Sequence, residues 1–224
     1  VEVRPQDVAA SARPLQLLAL GDSSIAGIGA DRLEGCLAVQ VAQRVADTTG
    51  QPVRVRGYGV SGARTADVAA SQVAALDTRD GADAVVVVVG MNDIVHVTPP
   101  WAYRSAVLDL YELLRGRLDD VPVVACSLPE VRSITIVGHP LRDIAVVYGR
   151  LLGRIQRQAV RRVPNVAFVD ARRSVGPAFV RRLETMSVDG FHPSTLGYGL
   201  LADALARTIS TALGSERDAL AVSP

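Results

Sequence analysis

The sequence predicts an α/β fold, a parallel sheet sandwiched between two layers of helices, and three observations carry that expectation. Short apolar runs alternate with longer helical patterns along most of the chain, the signature of strand–helix–strand units. The run 85–89 is apolar at every position, as a central strand covered on both faces must be. The length, 224 residues, suits one domain and one core. Hydrophobic residues make up 49% and aromatics only 4%, so that core is to be built from Ala, Val, Leu and Ile.

Taken in order, residues 1–14 are polar, contain two prolines and show no periodicity, and are expected to be a lead-in that packs late or not at all. Strands are predicted at 15–20, 53–58, 84–89, 121–126 and 166–169. The first helix is predicted at 37–47, stopped by Gly50, and the second at 66–76. A third starts at Pro99 and Pro100, residues that begin a helix but do not sit inside one, and runs to Leu118. The fourth covers 141–163, before Pro164, and the last covers 195–213, with Gly214 placed to cap it. Residues 1–224 therefore form one domain, with a core over 15–213 and tails at 1–14 and 214–224; there is no internal repeat.

Composition excludes several classes of chemistry. The net charge is +1, too small for a global field that attracts nucleic acid or a membrane surface. All 24 basic side chains are Arg, so Schiff-base enzymes, Ser–Lys hydrolases and P-loop nucleotide binders lack their central lysine. Cys36 and Cys126 have no metal-ligand spacing and are expected to be two buried thiols, with a disulfide as the alternative in an exported protein; no metal or other cofactor is expected. No run reaches the roughly 18 apolar residues of a membrane span. The chain starts at Val1 instead of Met, which raises the expectation of a removed N-terminal segment and inclines the location toward the cell envelope or outside.

Three sharp turns follow three of the strands. They are Gly21-Asp22-Ser23 with Gly27 and Gly29, then Ser61-Gly62-Ala63-Arg64-Thr65, then Gly90-Met91-Asn92-Asp93. In a parallel sheet these strand ends share one crevice. A fourth segment, Asp189-Gly190-Phe191-His192-Pro193, precedes the last helix. A serine hydroxyl is a poor nucleophile until an imidazole takes its proton and a third group fixes the imidazole's tautomer. Ser23, His192 and Asp189 are the candidates for those three roles. The oxyanion of a tetrahedral intermediate needs donors, and the candidates are the backbone N–H groups of Ser23 and Gly62 and the side-chain amide of Asn92, with glycine allowing close approach.

These four segments resemble the blocks of the SGNH (GDSL-type) hydrolases. Gly21-Asp22-Ser23 is similar to the family's G-D-S block, Gly62 to its second-block glycine, Asn92 to the Asn of G-x-N-D, and Asp189 with His192 to D-x-x-H, all in the family's order. The resemblance implies a flavodoxin-like five-stranded parallel sheet in order 2-1-3-4-5. It also implies metal-independent hydrolysis of carboxylic esters in a shallow, adaptable cleft. Tyr58-Gly59-Val60 stands where the family often has an Asn before its second glycine. G-x-S-x-G is absent, which disfavours an α/β-hydrolase proper.

The expected activity is hydrolysis of short- to medium-chain acyl esters through an acyl-serine, on a small-molecule or lipid substrate and without nucleic acid. The alternatives are acyl transfer by the same triad, lysophospholipase or thioesterase specificity, and a non-catalytic binding module. Segments 98–103 and 131–139 are expected to wall the cleft. Asp22 is expected to brace the elbow, Ser24 to shape it, and Asp93 to be a turn former. His96 and His139 are expected on the surface or cleft wall. Arg150, Arg154, Arg157 and Arg161 recur at helical spacing and are expected to be a solvated face, the alternative being a dock for an anionic lipid or polymer.

Overall fold

The structure, a computed structural model, describes residues 1–5, 11–76, 81–128 and 130–222, the side chains of 215–222 excepted. Six strands form one sheet: β1 (Glu2–Val3), β2 (Leu15–Gly21), β3 (Val53–Gly57), β4 (Ala84–Val88), β5 (Val123–Cys126) and β6 (Val166–Val169). Their order is β1-β3-β2-β4-β5-β6, and all pairs are parallel except β1 with β3. The five parallel strands alone run 2-1-3-4-5. The sixth strand corrects the expectation for residues 1–14, of which 6–10 lie outside the described residues. Glu2 and Val3 pair with Arg54 and Val53, and the Glu2 carboxylate accepts from the Arg54 guanidinium at 2.8 and 3.1 Å. A two-residue strand has no periodicity to show in a sequence; the open edge of β3 recruits it.

The helices are α1 (Ser23–Ala26), α2 (Leu37–Thr49), α3 (Thr65–Asp67), α4 (Met91–Val95), α5 (Pro100–Leu118), α6 (Leu141–Val160), α7 (Ala171–Ser174), α8 (Gly176–Arg181) and α9 (Thr195–Val222). Because side chains alternate along a strand, β2 feeds two cores. Leu18 and Leu20 pack with Val85, Val87, Leu110, Leu114 and Leu152 under α5 and α6. Leu17 and Ala19 pack with Val86, Val41, Val45, Leu205 and Ile209 under α2 and α9. The result is the three-layer sandwich expected of a strand run with no polar face.

Three helix boundaries differ from expectation. After Asp67 the chain widens into a π-helical segment over Val68–Gln72, so the predicted 66–76 helix is irregular. α6 ends at Val160, three residues early, with Val163 still buried. α9 continues through Gly214, which is therefore not a cap. Glycine inside a helix costs about 1 kcal/mol relative to alanine, too little to stop one whose following residues favour helix.

Candidate active site

The site is built on the end of β2. Asp22 caps α1, its Oδ1 accepting from Ser24 N at 3.0 Å, and Ser23 is the first helical residue. At that position a backbone N–H has no partner within its own helix. Asp22 N donates to Val88 O at 3.2 Å, tying the elbow to β4. Burial pushes the Asp22 carboxyl up to about 6, against the lowering effect of the bond from Ser24 N.

Just before the elbow, the peptide of Gly21 is held from the side by Gln72. The buried Gln72 amide accepts from Gly21 N at 2.9 Å and donates to Gly21 O at 2.7 Å, completing the strand as a neighbouring backbone would. The π-helical segment is what carries Gln72 there, a common use of such irregularities. Gln156 does the same at β5, donating to Cys126 O at 3.0 Å and accepting from Leu128 N at 3.3 Å. Gly21 O also accepts from Val60 N at 3.2 Å, so without Gln72 only Gly21 N loses its partner, at a cost of about 1–3 kcal/mol. Gln72→Leu is therefore expected to lower the free energy of unfolding by about 1–3 kcal/mol. Urea unfolding measures this, and an unchanged midpoint would show that the clamp contributes nothing.

The loop before α9 closes onto the elbow. Asp189 Oδ1 accepts from Ser187 Oγ, Phe191 N and His192 N at 2.7, 2.8 and 2.9 Å. Its Oδ2 lies 2.6 Å from His192 Nδ1, and His192 Nε2 lies 3.0 Å from Ser23 Oγ. Partial burial works to raise the Asp189 carboxyl, but the bonds from the His192 ring, the two backbone N–H groups and Ser187 outweigh it and hold it well below the usual carboxylate range. An ionised partner at Nδ1 fixes the proton there, which leaves Nε2 to accept from the serine hydroxyl. The approach depends on Gly29. With φ +93, a Cβ at that residue would stand 2.4 Å from Pro193 O and 2.9 Å from His192 Cβ. The buried Tyr198 of α9 adds a tie, its hydroxyl donating to Ile28 O.

The second and third turns are laced together. Asn92, in the first turn of α4, donates from Nδ2 to Ala63 O at 2.9 Å. That uses one of its two amide hydrogens. Asp93 is not the turn former expected. It is 1% exposed and accepts from both Thr65 N at 2.9 Å and Thr65 Oγ1 at 2.8 Å, so it fixes the Gly62 loop against α4. Gly62 has φ +84 with nothing within 4 Å of a Cβ position, so within the protein its glycine is required by backbone conformation and not by crowding.

Below Ser23 and His192 is a cavity of about 60 Å³, lined by Met91, Cys126, Ser127, Phe179 and Phe191 among others. Phe191 presents its ring edge-on to His192, centroids 4.9 Å apart. Of the expected cleft walls, 131–139 contributes Ser133 and Ile134, but 98–103 contributes none of the residues lining this cavity. Tyr103 turns into the core and Trp101 outward to solvent. Ala171, Phe179 and Met186, which the sequence reading did not single out, line the cavity as well.

Residues 19–200 match the GDSL-like Lipase/Acylhydrolase family. The chain belongs to that family. It is 31% identical over 205 residues to the GDSL-like esterase Rv1075c of Mycobacterium tuberculosis (strain ATCC 25618 / H37Rv), a match covering 91% of this chain and 64% of the relative, so the chain spans under two thirds of that protein's length. Its fold is similar to that of the lipase/acylhydrolase from Enterococcus faecalis, with TM-score 0.68, 20% identity, and 88% of this chain and 96% of that one covered. It is similar also to AlinE4, an SGNH-hydrolase family esterase, with TM-score 0.64, 22% identity, and 91% and 99% covered.

Within this GDSL-like chain the remaining candidates fall outside the hydrogen-bonded series. His96 is exposed, its Nδ1 2.9 Å from Asn92 O, and His139 is exposed beside Asp143 at 2.6 Å. Both cysteines are free. Cys126 is buried as expected, its thiol pushed up to about 12 by burial and then by the charge of Asp22, whereas Cys36 is only half-buried. Among the described residues no three His, Cys, Asp or Glu side chains come together as a metal site, and no helix is long and apolar enough to cross a membrane.

Proposed function

We propose that this GDSL-like protein hydrolyses carboxylic esters through an acyl-serine intermediate. The observation that carries the proposal is the unbroken series Ser23 Oγ–His192 Nε2 and His192 Nδ1–Asp189 Oδ2, which joins residues 169 positions apart at 3.0 and 2.6 Å. Such a series is what converts a hydroxyl into a nucleophile. Ser23 Oγ attacks the ester carbonyl while His192 Nε2 takes its proton, and Asp189 stabilises the imidazolium. The carbonyl π pair moves onto oxygen, held by the N–H groups of Ser23 and Gly62 and the second amide hydrogen of Asn92. As the tetrahedral centre collapses, His192 returns the proton to the departing alkoxide, leaving acyl-Ser23 and a free alcohol. Water, deprotonated by the same imidazole, repeats the sequence and releases the acid.

The cavity favours small acyl groups. At about 60 Å³ it has room for only a few water-sized groups. A chain-length series of aryl esters tests the proposal, with acid release expected to peak at acetyl to butyryl. No turnover across the series would support a binding module instead. Adding an alcohol acceptor and measuring the partition between acid and new ester separates hydrolysis from acyl transfer.

Asn92→Ala is expected to lower kcat about 10²- to 10³-fold with little change in KM, because its amide acts where charge develops. Equal kcat in variant and wild type would remove Asn92 from the oxyanion site.

A further inference from the structure

Arg150, Arg154 and Arg161 are exposed, as expected of a solvated face, and Arg157 is half-buried. With Arg172 and Arg173 of α7 this series lines one groove, in which Asp170 is the single lining carboxylate among the described residues. Gly149 and Gly153 line the same groove and carry no side chain into it. Arg157 is committed inside the protein: it is ion-paired with Asp170 and its guanidinium stands 5.6 Å from the Phe168 ring centroid. The other five arginines form no ion pair among the described residues. Desolvation and then the charges of Arg173, Arg161 and Arg172 work against the charge on Arg157, which Asp170 offsets. A solvated helix face ordinarily spreads its charges and meets carboxylates one turn away. Here like charges are gathered in a concavity, where the field is focused.

The groove also adjoins the candidate active site. Ser127 lines both it and the cavity beneath Ser23, and Ser127 Oγ accepts from Arg172 N at 3.3 Å. Ala171, in the cavity wall, is the neighbour of Arg172 in the groove.

We propose that this groove receives a phosphate-class anionic group carried by the ester substrate at a point remote from its scissile carbonyl. The inference rests on the ester-hydrolase proposal and narrows its substrate class. Guanidinium groups pair with phosphate oxygens through two parallel bonds, and several of them around a concavity match one phosphate or a pair. A shared wall with the cavity favours a group on the substrate itself over a bilayer.

The test compares kcat/KM for the butyryl ester of glycerol 3-phosphate with that for the butyryl ester of glycerol. The wild type is expected to favour the phosphate ester by about tenfold or more at low salt, with the preference collapsing in high salt. Arg154→Gln combined with Arg161→Gln removes two unpaired guanidiniums and is expected to reduce the preference about tenfold, with Arg→Lys at both positions restoring part of it. A wild-type preference near one, or a preference that the double change leaves intact, overturns the proposal. Calorimetric binding of the phosphate ester to the Ser23→Ala variant separates the two layers. Binding to Ser23→Ala that depends on Arg154 and Arg161, beside a wild type that hydrolyses no ester, keeps the groove and removes the hydrolase; absence of binding removes the groove. Sedimentation with phosphatidylglycerol vesicles that requires these arginines, alongside a preference near one, assigns the charges to a membrane instead and overturns the proposal.

Discussion

Ser23→Ala is expected to lower kcat for a soluble aryl ester by about 10⁴- to 10⁶-fold and to leave the protein folded. The first half follows from the chemistry: without the hydroxyl no acyl-enzyme forms, and His192 can at best activate water at a carbonyl it was not placed to serve. The second half follows from the contacts. Ser23 Oγ meets His192, whereas the cap on α1 is made by Asp22, so the elbow keeps its own hydrogen bonds in the variant. Circular dichroism and the thermal midpoint check the fold while ester turnover checks the chemistry. His192→Ala is expected to match it, and the double variant to be no worse than either single one, because the two residues form one device and their losses do not add. Turnover retained in Ser23→Ala would move the nucleophile elsewhere and take the acyl-serine mechanism with it.

What the sequence made legible is what glycine and polar residues announce. A nucleophile turn needs a left-handed or crowded backbone at Gly21, Gly27 and Gly29, and such residues stand out after an apolar strand. The residues proposed as base and orienter are legible because the chain has only three histidines, and His192 with Asp189, unlike His96 with Asp93, stands in a separate turn just ahead of the last helix. Residues acting through the backbone were hidden. Gln72 and Gln156 are polar residues on the core faces of helices, where an apolar one is expected; that mismatch was the available signal, and it points to a buried backbone group in need of a partner. The brace made by Asp93 is hidden for a related reason. Its partner Thr65 lies 28 positions away in another turn, so no local pattern distinguishes a brace from a turn former. The edge strand at Glu2–Val3 and the continuation of α9 past Gly214 depend on neighbours and on marginal local energies, which spacing alone does not weigh.

Asp189→Asn is expected to cost about 10³- to 10⁴-fold in kcat with KM nearly unchanged. The carboxylate uses Oδ1 for three donors and Oδ2 for His192 Nδ1. An amide has a single oxygen. If it keeps that oxygen on the three loop donors, its NH₂ faces Nδ1 and forces the ring proton to Nε2, where it opposes the serine hydroxyl in place of accepting from it. If it turns the oxygen to His192, the NH₂ faces the backbone N–H groups of Phe191 and His192 and the loop loosens. The side chain of Asp189 is 41% exposed, so water replaces part of what is lost and the effect belongs at the milder end of that range. The sign of the acid response separates the variant from a merely loosened one. The carboxyl is held below its ordinary value of 3.8, so the stability it contributes is fully present above that pH and disappears as pH falls through the lowered value. Thermal midpoints measured from pH 6 downward are expected to drop less steeply in the variant, which has no such group to protonate. A loss of activity under about tenfold would leave Asp189 as the residue that shapes the turn and would assign the orientation of His192 to the ring's other neighbours.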